Sequence, residues 1–320
     1  MAKGTDSLRN TIMKTGLITH KDCLDHKTPP GHPEQVARLE YILDALQSVD
    51  LTRIDAPLAS HDDLLRVHPQ SHIEHIIKTV PQSGYRAIDG DTHMSQGSYT
   101  AALRAVGGVL RAVDMVMSQS IQNAFVATRP PGHHAERETP MGFCFFGNIA
   151  IGAKYALQHH GLERVAVVDF DVHHGNGTQD LLWDEPGTLF FTSHQSPLWP
   201  GTGAPDETGA SDNIVNIPLP PHSDGVDMRA AYEKLVFPRL EAFEPELILV
   251  SAGFDAHRSD PLAELNWVEA DFSWLTRRLM SLAKTHAKGR LVSVLEGGYD
   301  LSALASSVKV HVETLSEIVK

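Results

Sequence analysis

Two cysteines in 320 residues, Cys23 and Cys144, are too few for a disulfide framework and point to a reducing compartment. No apolar run approaches the roughly 20 residues needed to span a bilayer. The opening stretch "MAKGTDSLRN" lacks the apolar core of a secretory leader. Basic residues are in deficit: 27 Lys and Arg face 40 Asp and Glu, a formal charge of -13. That sign suits neither nucleic acid nor an anionic membrane, both of which attract basic patches. It is mildly compatible with a cationic substrate. Aromatics are modest at 7%, and neither a repeat nor a Gly/Ser linker interrupts the chain. These absences leave a cytoplasmic globular chain, with no nucleic-acid or membrane partner, as the expectation.

Histidine is abundant instead, with 19 residues, many of them clustered, and the 42% hydrophobic content supplies a large core. Apolar, β-branched runs predict strands over 16–20, 123–128, 164–170, 188–193, 213–217, 246–252 and 290–295. Helical spacing predicts helices over 33–48, 69–80, 97–118, 148–160, 226–242, 268–286 and 301–318. Runs such as "RVAVV" and "LILV" are continuously apolar, as in strands buried on both faces of a parallel sheet. The alternation predicts one α/β domain over 1–320 with helices on both faces. Long Gly/Pro-rich loops at 197–205 and 218–225 are candidates for function.

Ligands of open parallel sheets bind beyond the carboxyl ends of the strands. Four polar clusters stand at such ends: "RPPGHHAE", "DVHHGNG", "AGFDAHRSDP" and "EGGYD". The topology predicts that they converge at one edge. Alternation puts Asp171 and His173 on the same side of an extended segment, and Asp255 can join them from a neighbouring strand end. One imidazole and two carboxylates with a position left open suit a catalytic metal, zinc first and ferrous iron as the alternative. Such an ion lowers the pKa of its water to about 7 and polarises a carbonyl. His133 and His134 can flank that water, one as general base and the other as electrostatic stabiliser or acid. Gly297 and Gly298 let the backbone turn and aim Tyr299, whose phenol suits oxyanion stabilisation. The stretch "GNGTQDLL" lacks a Walker lysine and dinucleotide spacing, so no phosphate loop opens a helix there.

With "RPPGHHAERETPMGFCFFGN", "DFDVHHGNGTQD", "SHQSPLWPGTG", "AGFDAHRSDPLA" and "LEGGYD" in order, the chain resembles the zinc-dependent histone deacetylase family over roughly residues 16–318. It looks closest to bacterial class II-like members, which include acetylpolyamine amidohydrolases. The resemblance implies a single-domain arginase-deacetylase fold around a parallel sheet of about eight strands. It implies one Zn2+ per chain on Asp171, His173 and Asp255, and His134 as the base that later protonates the leaving amine. His133 would be its partner, oriented by Asp169, and Tyr299 would polarise the acetyl carbonyl. Asn176 falls behind His134, where a neutral amide raises the imidazole pKa less than an Asp would. A neutral His134 beside a more cationic His133 is the expectation. Gly142 and Phe143, with Trp199 opposite, would line the tunnel, and Leu262 and Gly297 complete the substrate-contacting set. Trp199 and Gly147 depart from the family's usual Phe or Tyr and Asn. A potassium ion near the zinc is a secondary expectation, at Asp169, Asp171, His173, Thr192 and Ser193.

The implied substrate is an acetylated amine, either a small molecule or the acetyl-lysine of a peptide. A polyamine reader would carry a carboxylate at the tunnel mouth, with Asp89, Asp91, Glu136 and Glu264 as candidates. A binuclear arginase-like hydrolase would need carboxylates where Gly175 and His257 stand. An inactive, deacetylase-like binding module would lack part of the catalytic set, all of which is present. The segment "HKDCLDHKTPPGH" reads as a mouth loop with solvated or hydrogen-bonded histidines, not as a second metal site. His159 and His160 end a helix, where such residues suit the dipole. Pro33 reads as an early helical position, and Glu34 and Arg38 as an i,i+4 pair on that helix. Cys144 reads as a small buried residue. A homo-oligomer, with the 197–225 loops closing over a neighbour's mouth, is also compatible with the sequence.

Overall fold

The structure, a computed structural model, describes residues 14–317. The opening stretch read for a leader therefore lies outside the described residues, as does the last predicted helical position, 318. The strands are β1 Gly16–Thr19, β2 Thr52–Asp55, β3 Arg86–Ala87, β4 His93–Met94, β5 Ala124–Val126, β6 Val165–Asp169, β7 Thr188–Gln195, β8 Ile214–Leu219, β9 Leu247–Ala252 and β10 Leu291–Leu295. The helices are α1 Ala37–Ala45, α2 His61–Leu64, α3 Gln70–Thr79, α4 Ser98–Met117, α5 Asn148–His160, α6 Asn176–Leu182, α7 Gly225–Ala231, α8 Phe237–Phe243, α9 Glu269–His286 and α10 Leu301–Leu315.

Eight strands form one sheet in the order β2-β1-β5-β10-β9-β6-β7-β8, and every pairing in it is parallel. The chain builds outward on both sides and then returns. Its last two strands, β9 and β10, fill the gap between β5 and β6. The strand period of two splits the core between two faces. Ile248, Val250 and Ala252 of β9 join one apolar cluster, shared with α9 and α10. Leu247 and Leu249 join the other, shared with α4 and α5. Burial on both faces explains the unbroken apolar runs.

Differences from the sequence expectations have local causes. The edge strand β2, "TRID", was missed because its exposed side carries Arg53 and Asp55 and its half-buried side pairs Thr52 with a single apolar Ile54. The 33–48 helix begins only at Ala37, so Pro33 and Glu34 precede it. The 226–242 helix is broken by a π turn at Tyr232–Val236, just before Pro238, which cannot donate to the helical ladder. A helix does open at Asn176 in "GNGTQDLL". The predicted 218–225 loop shrinks, because β8 runs to Leu219 and α7 starts at Gly225. Cys23 and Cys144 are both buried and unpaired.

His311 of α10 bridges Thr276 and Ser293 through its two ring nitrogens, at 2.7 and 2.8 Å. Burial pushes its pKa down to about 3. Below its ordinary value near 6.5 the unfolded chain takes up a proton that the folded chain refuses. Stability from this group is thus present above about pH 6.5 and falls by about 1.4 kcal/mol per pH unit below it. His311→Gln isolates the contribution from the raised carboxyls of Asp260 and Glu296, which act in the opposite sense. The gap in Tm between wild type and variant should narrow as pH falls from about 7.5 to about 5.5. A gap that stays constant with pH would rule out a neutral His311.

Candidate active site

Register brings the four polar clusters together. Asp169 at the end of β6 pairs with Ser251 of β9. Leu295 of β10 pairs with Ala252, and Val294 pairs with Val126 of β5. Each polar segment starts at these positions or within a few residues of them, at the same sheet edge.

Asp171, His173 and Asp255 meet there, all buried, with ligand-type atoms within 4.8 Å of one another. His173 Nδ1 lies 3.2 Å from both Asp171 Oδ1 and Asp255 Oδ2. Backbone N–H groups hold the carboxylates in place: Gly297 donates to Asp171 Oδ2 at 2.8 Å and Val172 to Asp255 Oδ1 at 2.9 Å. Burial and the charge of Asp171 raise the pKa of Asp255. Burial works against a charged His173, yet the two carboxylates prevail and lift it to about 10. Two carboxylates buried around one imidazole call for a further cation. Gly297 keeps the spot clear: a Cβ there would fall 2.1 Å from Asp255 Oδ2 and 2.6 Å from Asp171 Oδ2. The donor set, its burial and this cradle fit one divalent ion with an open position. Gly297 thus faces the carboxylates, whereas Leu262 is exposed on the loop that Asp260 holds.

The paired histidines differ in environment. His133 Nδ1 lies 2.9 Å from Asp169 Oδ2, and His134 Nδ1 lies 2.8 Å from Asn176 Oδ1. Burial disfavours charge on both. For His133 the carboxylates of Asp171 and Asp169 prevail and raise its pKa well above the ordinary value. For His134 the neighbouring His133 and His173 reinforce burial and lower it well below. Burial and neighbouring charge thus push the two imidazoles in opposite directions. The sequence reading missed Glu296, whose buried carboxylate accepts from Gly132 N at 2.7 Å and His133 N at 3.2 Å. Its signal was an acid at the very end of a buried strand, in "LEGGYD".

Aromatic rings cover the histidines. Trp199 stands edge-to-face with His134 at 4.7 Å and lies 6.2 Å from His173, while 42% of its surface stays exposed. Gly142 is required beneath it, since a Cβ would fall 2.5 Å from the His134 ring and 2.6 Å from Trp199. Phe143 adopts φ +68°, a left-handed conformation that costs a residue with a side chain energy and often marks a functional position. Its ring packs on Tyr299 at 5.8 Å. Asp260 accepts from Tyr299 N at 2.7 Å, and the Arg38 guanidinium lies 4.9 Å from the centre of its ring.

Arg38 corrects another expectation. It does pair with Glu34 at 3.0 Å, but both are fully buried and Arg129 joins them. Arg38 also donates to the carbonyls of Glu296 and Gly298, so this network braces the Tyr299 turn. In the "HKDCLDHKTPPGH" segment the histidines are hydrogen-bonded rather than freely solvated. Cys23 and His26 are buried, and His26 bonds Ser98 Oγ at 2.7 Å. Among the described residues it holds no metal-ligand cluster. Asp114 does meet His159 and His160 on the surface, where Asp114 Oδ1 bonds His160 and the Tyr155 hydroxyl. Gly175 and His257 bring no carboxylate for a second ion. Thr192 pairs in register with Asp169, and Ser193 Oγ lies 2.8 Å from the Tyr232 hydroxyl. Of the mouth candidates, Asp91 bonds Thr92, whose hydroxyl accepts from Phe143 N at 3.1 Å. Glu264 N donates to Gln195 Oε1 at 2.8 Å. Glu136 instead accepts from Asn176 Nδ2 at 2.8 Å. No described helix is long and apolar enough to cross a membrane.

A sequence profile described as "Histone deacetylase domain" matches residues 32–315. The chain is 43% identical over 309 residues to the uncharacterized protein slr0245 of Synechocystis sp., covering 94% of this chain and 98% of that one. It is 38% identical over 298 residues to a probable deacetylase of Archaeoglobus fulgidus, covering 90% and 82%. It is 39% identical over 297 residues to a histone deacetylase-like amidohydrolase of Pseudomonas aeruginosa, covering 90% and 78%. Among solved structures, the HDA15 HD domain superposes with a TM-score of 0.89 at 32% identity, over 95% of this chain and 88% of that one. The chain belongs to the histone deacetylase family, and its α/β fold is that of the family's domain.

Proposed function

From that membership, we propose that the chain is a zinc-dependent deacetylase hydrolysing the amide of an acetylated amine, an acetyl-lysine side chain or a similar small acyl amide. The observation that carries the reading is the buried group of Asp171, His173 and Asp255 beside a His134 whose charged form is disfavoured. These three would hold the ion, and their N/O donors suit zinc, with ferrous iron the chemical alternative. When bound, the ion supplies Lewis acidity to a carbonyl oxygen and makes a coordinated water acidic.

The remaining work belongs to side chains. His134 keeps its proton on Nδ1, toward Asn176, so Nε2 is free to accept one from the attacking water. The same nitrogen returns that proton to the leaving amine as the C–N bond breaks, which yields acetate and free amine. His133, held by Asp169, contributes positive charge where the oxyanion develops. Tyr299 donates its phenol proton in a hydrogen bond to that oxygen. Phe143 and Trp199 would flank the alkyl chain and keep bulk water away. A potassium ion would sit beneath, on the segment of Asp169, Asp171 and His173 and on Thr192 and Ser193 of the adjoining strand. We place the whole described chain in one catalytic domain, acting in the cytoplasm.

One feature favours a second reading, acetylpolyamine hydrolysis. Asp89 and Asp91 sit together in the turn next to Phe143, where they suit a distal ammonium. The complete catalytic set speaks against an inactive binding module. The zinc-loaded chain should turn over an acetyl-lysine peptide with a higher kcat/KM than N-acetylputrescine, and a chelator should abolish both activities. A ratio in favour of N-acetylputrescine would replace the first reading with the second. Activity untouched by the chelator would remove the metal from the mechanism.

A further inference from the structure

The half-buried Glu136 follows the paired histidines by two residues and points away from the role of a mouth carboxylate. Its Oε1 accepts from Asn176 Nδ2 at 2.8 Å. The same amide meets His134 Nδ1 through Oδ1 at 2.8 Å. An amide has two ends of similar shape, one acceptor and one double donor. Which end faces His134 decides which ring nitrogen keeps the proton. With Oδ1 toward the ring, Nδ1 must carry hydrogen and Nε2 presents a lone pair. With the amide reversed, Nδ1 must accept, the proton moves to Nε2, and the ring can no longer act as a base there.

A carboxylate at the far end settles the choice, because it only accepts. Reversal would set Asn176 Oδ1 against Glu136 Oε1, two acceptors with no hydrogen between them. The sulfur of Met141, 3.4 Å from Asn176 Nδ2, is a weak acceptor and cannot substitute. We propose that Glu136 is a positioning residue that fixes the Asn176 amide and thereby the proton-accepting tautomer of His134.

The local fold is built to hold this chain of contacts. Asn176 and Asp180 lie four apart on α6 and so share a face. Asp180 accepts from Arg137 N at 2.8 Å, while Glu136 N donates to Thr139 O at 3.0 Å. The start of α6 is pressed against the histidine segment: Thr178 N donates to His133 O at 3.0 Å. Gly177 permits the approach, since a Cβ there would fall 2.4 Å from Ala135 O. An acid behind a neutral amide thus achieves at one remove what a directly bonded carboxylate would do, without placing a full negative charge against His134.

The proposal rests on His134 as the base, so the test has one readout that needs no turnover. In the full-length, zinc-loaded chain, long-range 15N–1H spectra should show the His134 proton on Nδ1. In Glu136→Leu the same ring should show a mixture of tautomers. With an acetyl-lysine peptide as substrate, Glu136→Leu should lower kcat by about 10-fold and leave KM, zinc content and Tm near wild type. Glu136→Gln, which keeps an acceptor, should recover most of the loss. In an Asn176→Ala background, Glu136→Leu should cause no further loss. An unchanged Nδ1 proton in Glu136→Leu overturns the proposal, as does an equal kcat loss with and without Asn176. Should His134→Ala keep its turnover, the base assignment fails, and the tautomer spectra still judge Glu136 by themselves.

Discussion

Tyr299→Phe is expected to lower kcat by about 100- to 1000-fold, the loss typical of one oxyanion donor. The change removes a single oxygen. The ring keeps its packing on Phe143 at 5.8 Å and its place 4.9 Å from the Arg38 guanidinium. The backbone stays put as well, because Asp260 holds Tyr299 N rather than its side chain. Burial raises the phenol well above its ordinary value, and the Arg38 charge only partly offsets this. The group is therefore a protonated donor at neutral pH, not a nucleophile. In the proposed role its hydrogen bond would strengthen as charge develops on the carbonyl oxygen, so the loss should appear in kcat, with KM, Tm and metal content unchanged. Steady-state kinetics on an acetyl-lysine peptide would decide the matter. Near-native turnover would strip Tyr299 of the oxyanion role.

Removal of a proposed metal ligand should have the other large effect. Asp255→Asn is the more informative change, because the hydrogen bond from Val172 N can go to the amide oxygen. That leaves an NH2 group, a donor, facing the ion where a carboxylate oxygen was. Metal content, read by elemental analysis, should fall well below one equivalent, and deacetylation should vanish with it. Asp171→Ala should do the same at greater cost to the fold. It also deprives the Gly297 and His173 N–H groups of their acceptor. A full equivalent of metal retained by both variants would exclude this ligand set.

Much of this was legible beforehand because the relevant signals are local. The pairing of Asp171 with His173 was legible from their spacing, although β6 ends at Asp169 and the two stand in the bend beyond it. The continuous apolar runs of β6, β9 and β10 identify strands covered on both faces. The edge strand β2 was not legible, since an edge position leaves its sequence nearly as polar as a loop. The start of α6 was hidden by Gly177, a poor helix former that is there for close packing against the histidine segment. Glu34 and Arg38 looked like a simple i,i+4 pair, and nothing singled out Arg129 as their buried partner. Burial of ions is decided by what closes over them, and that closure comes from strand ends far away in the chain.

The sequence by itself determined the chemical inventory, its order, and the parallel sheet whose carboxyl edge gathers it. Those follow from composition and periodicity, which act over a few residues. Tertiary structure alone decided where the carboxylates of Glu136 and Glu296 turn. Glu136 looked like a mouth group and turns to Asn176; Glu296 looked like a strand end and pins the histidine turn. A loop side chain takes its direction from the donors packed against it, and those donors belong to segments tens of residues away.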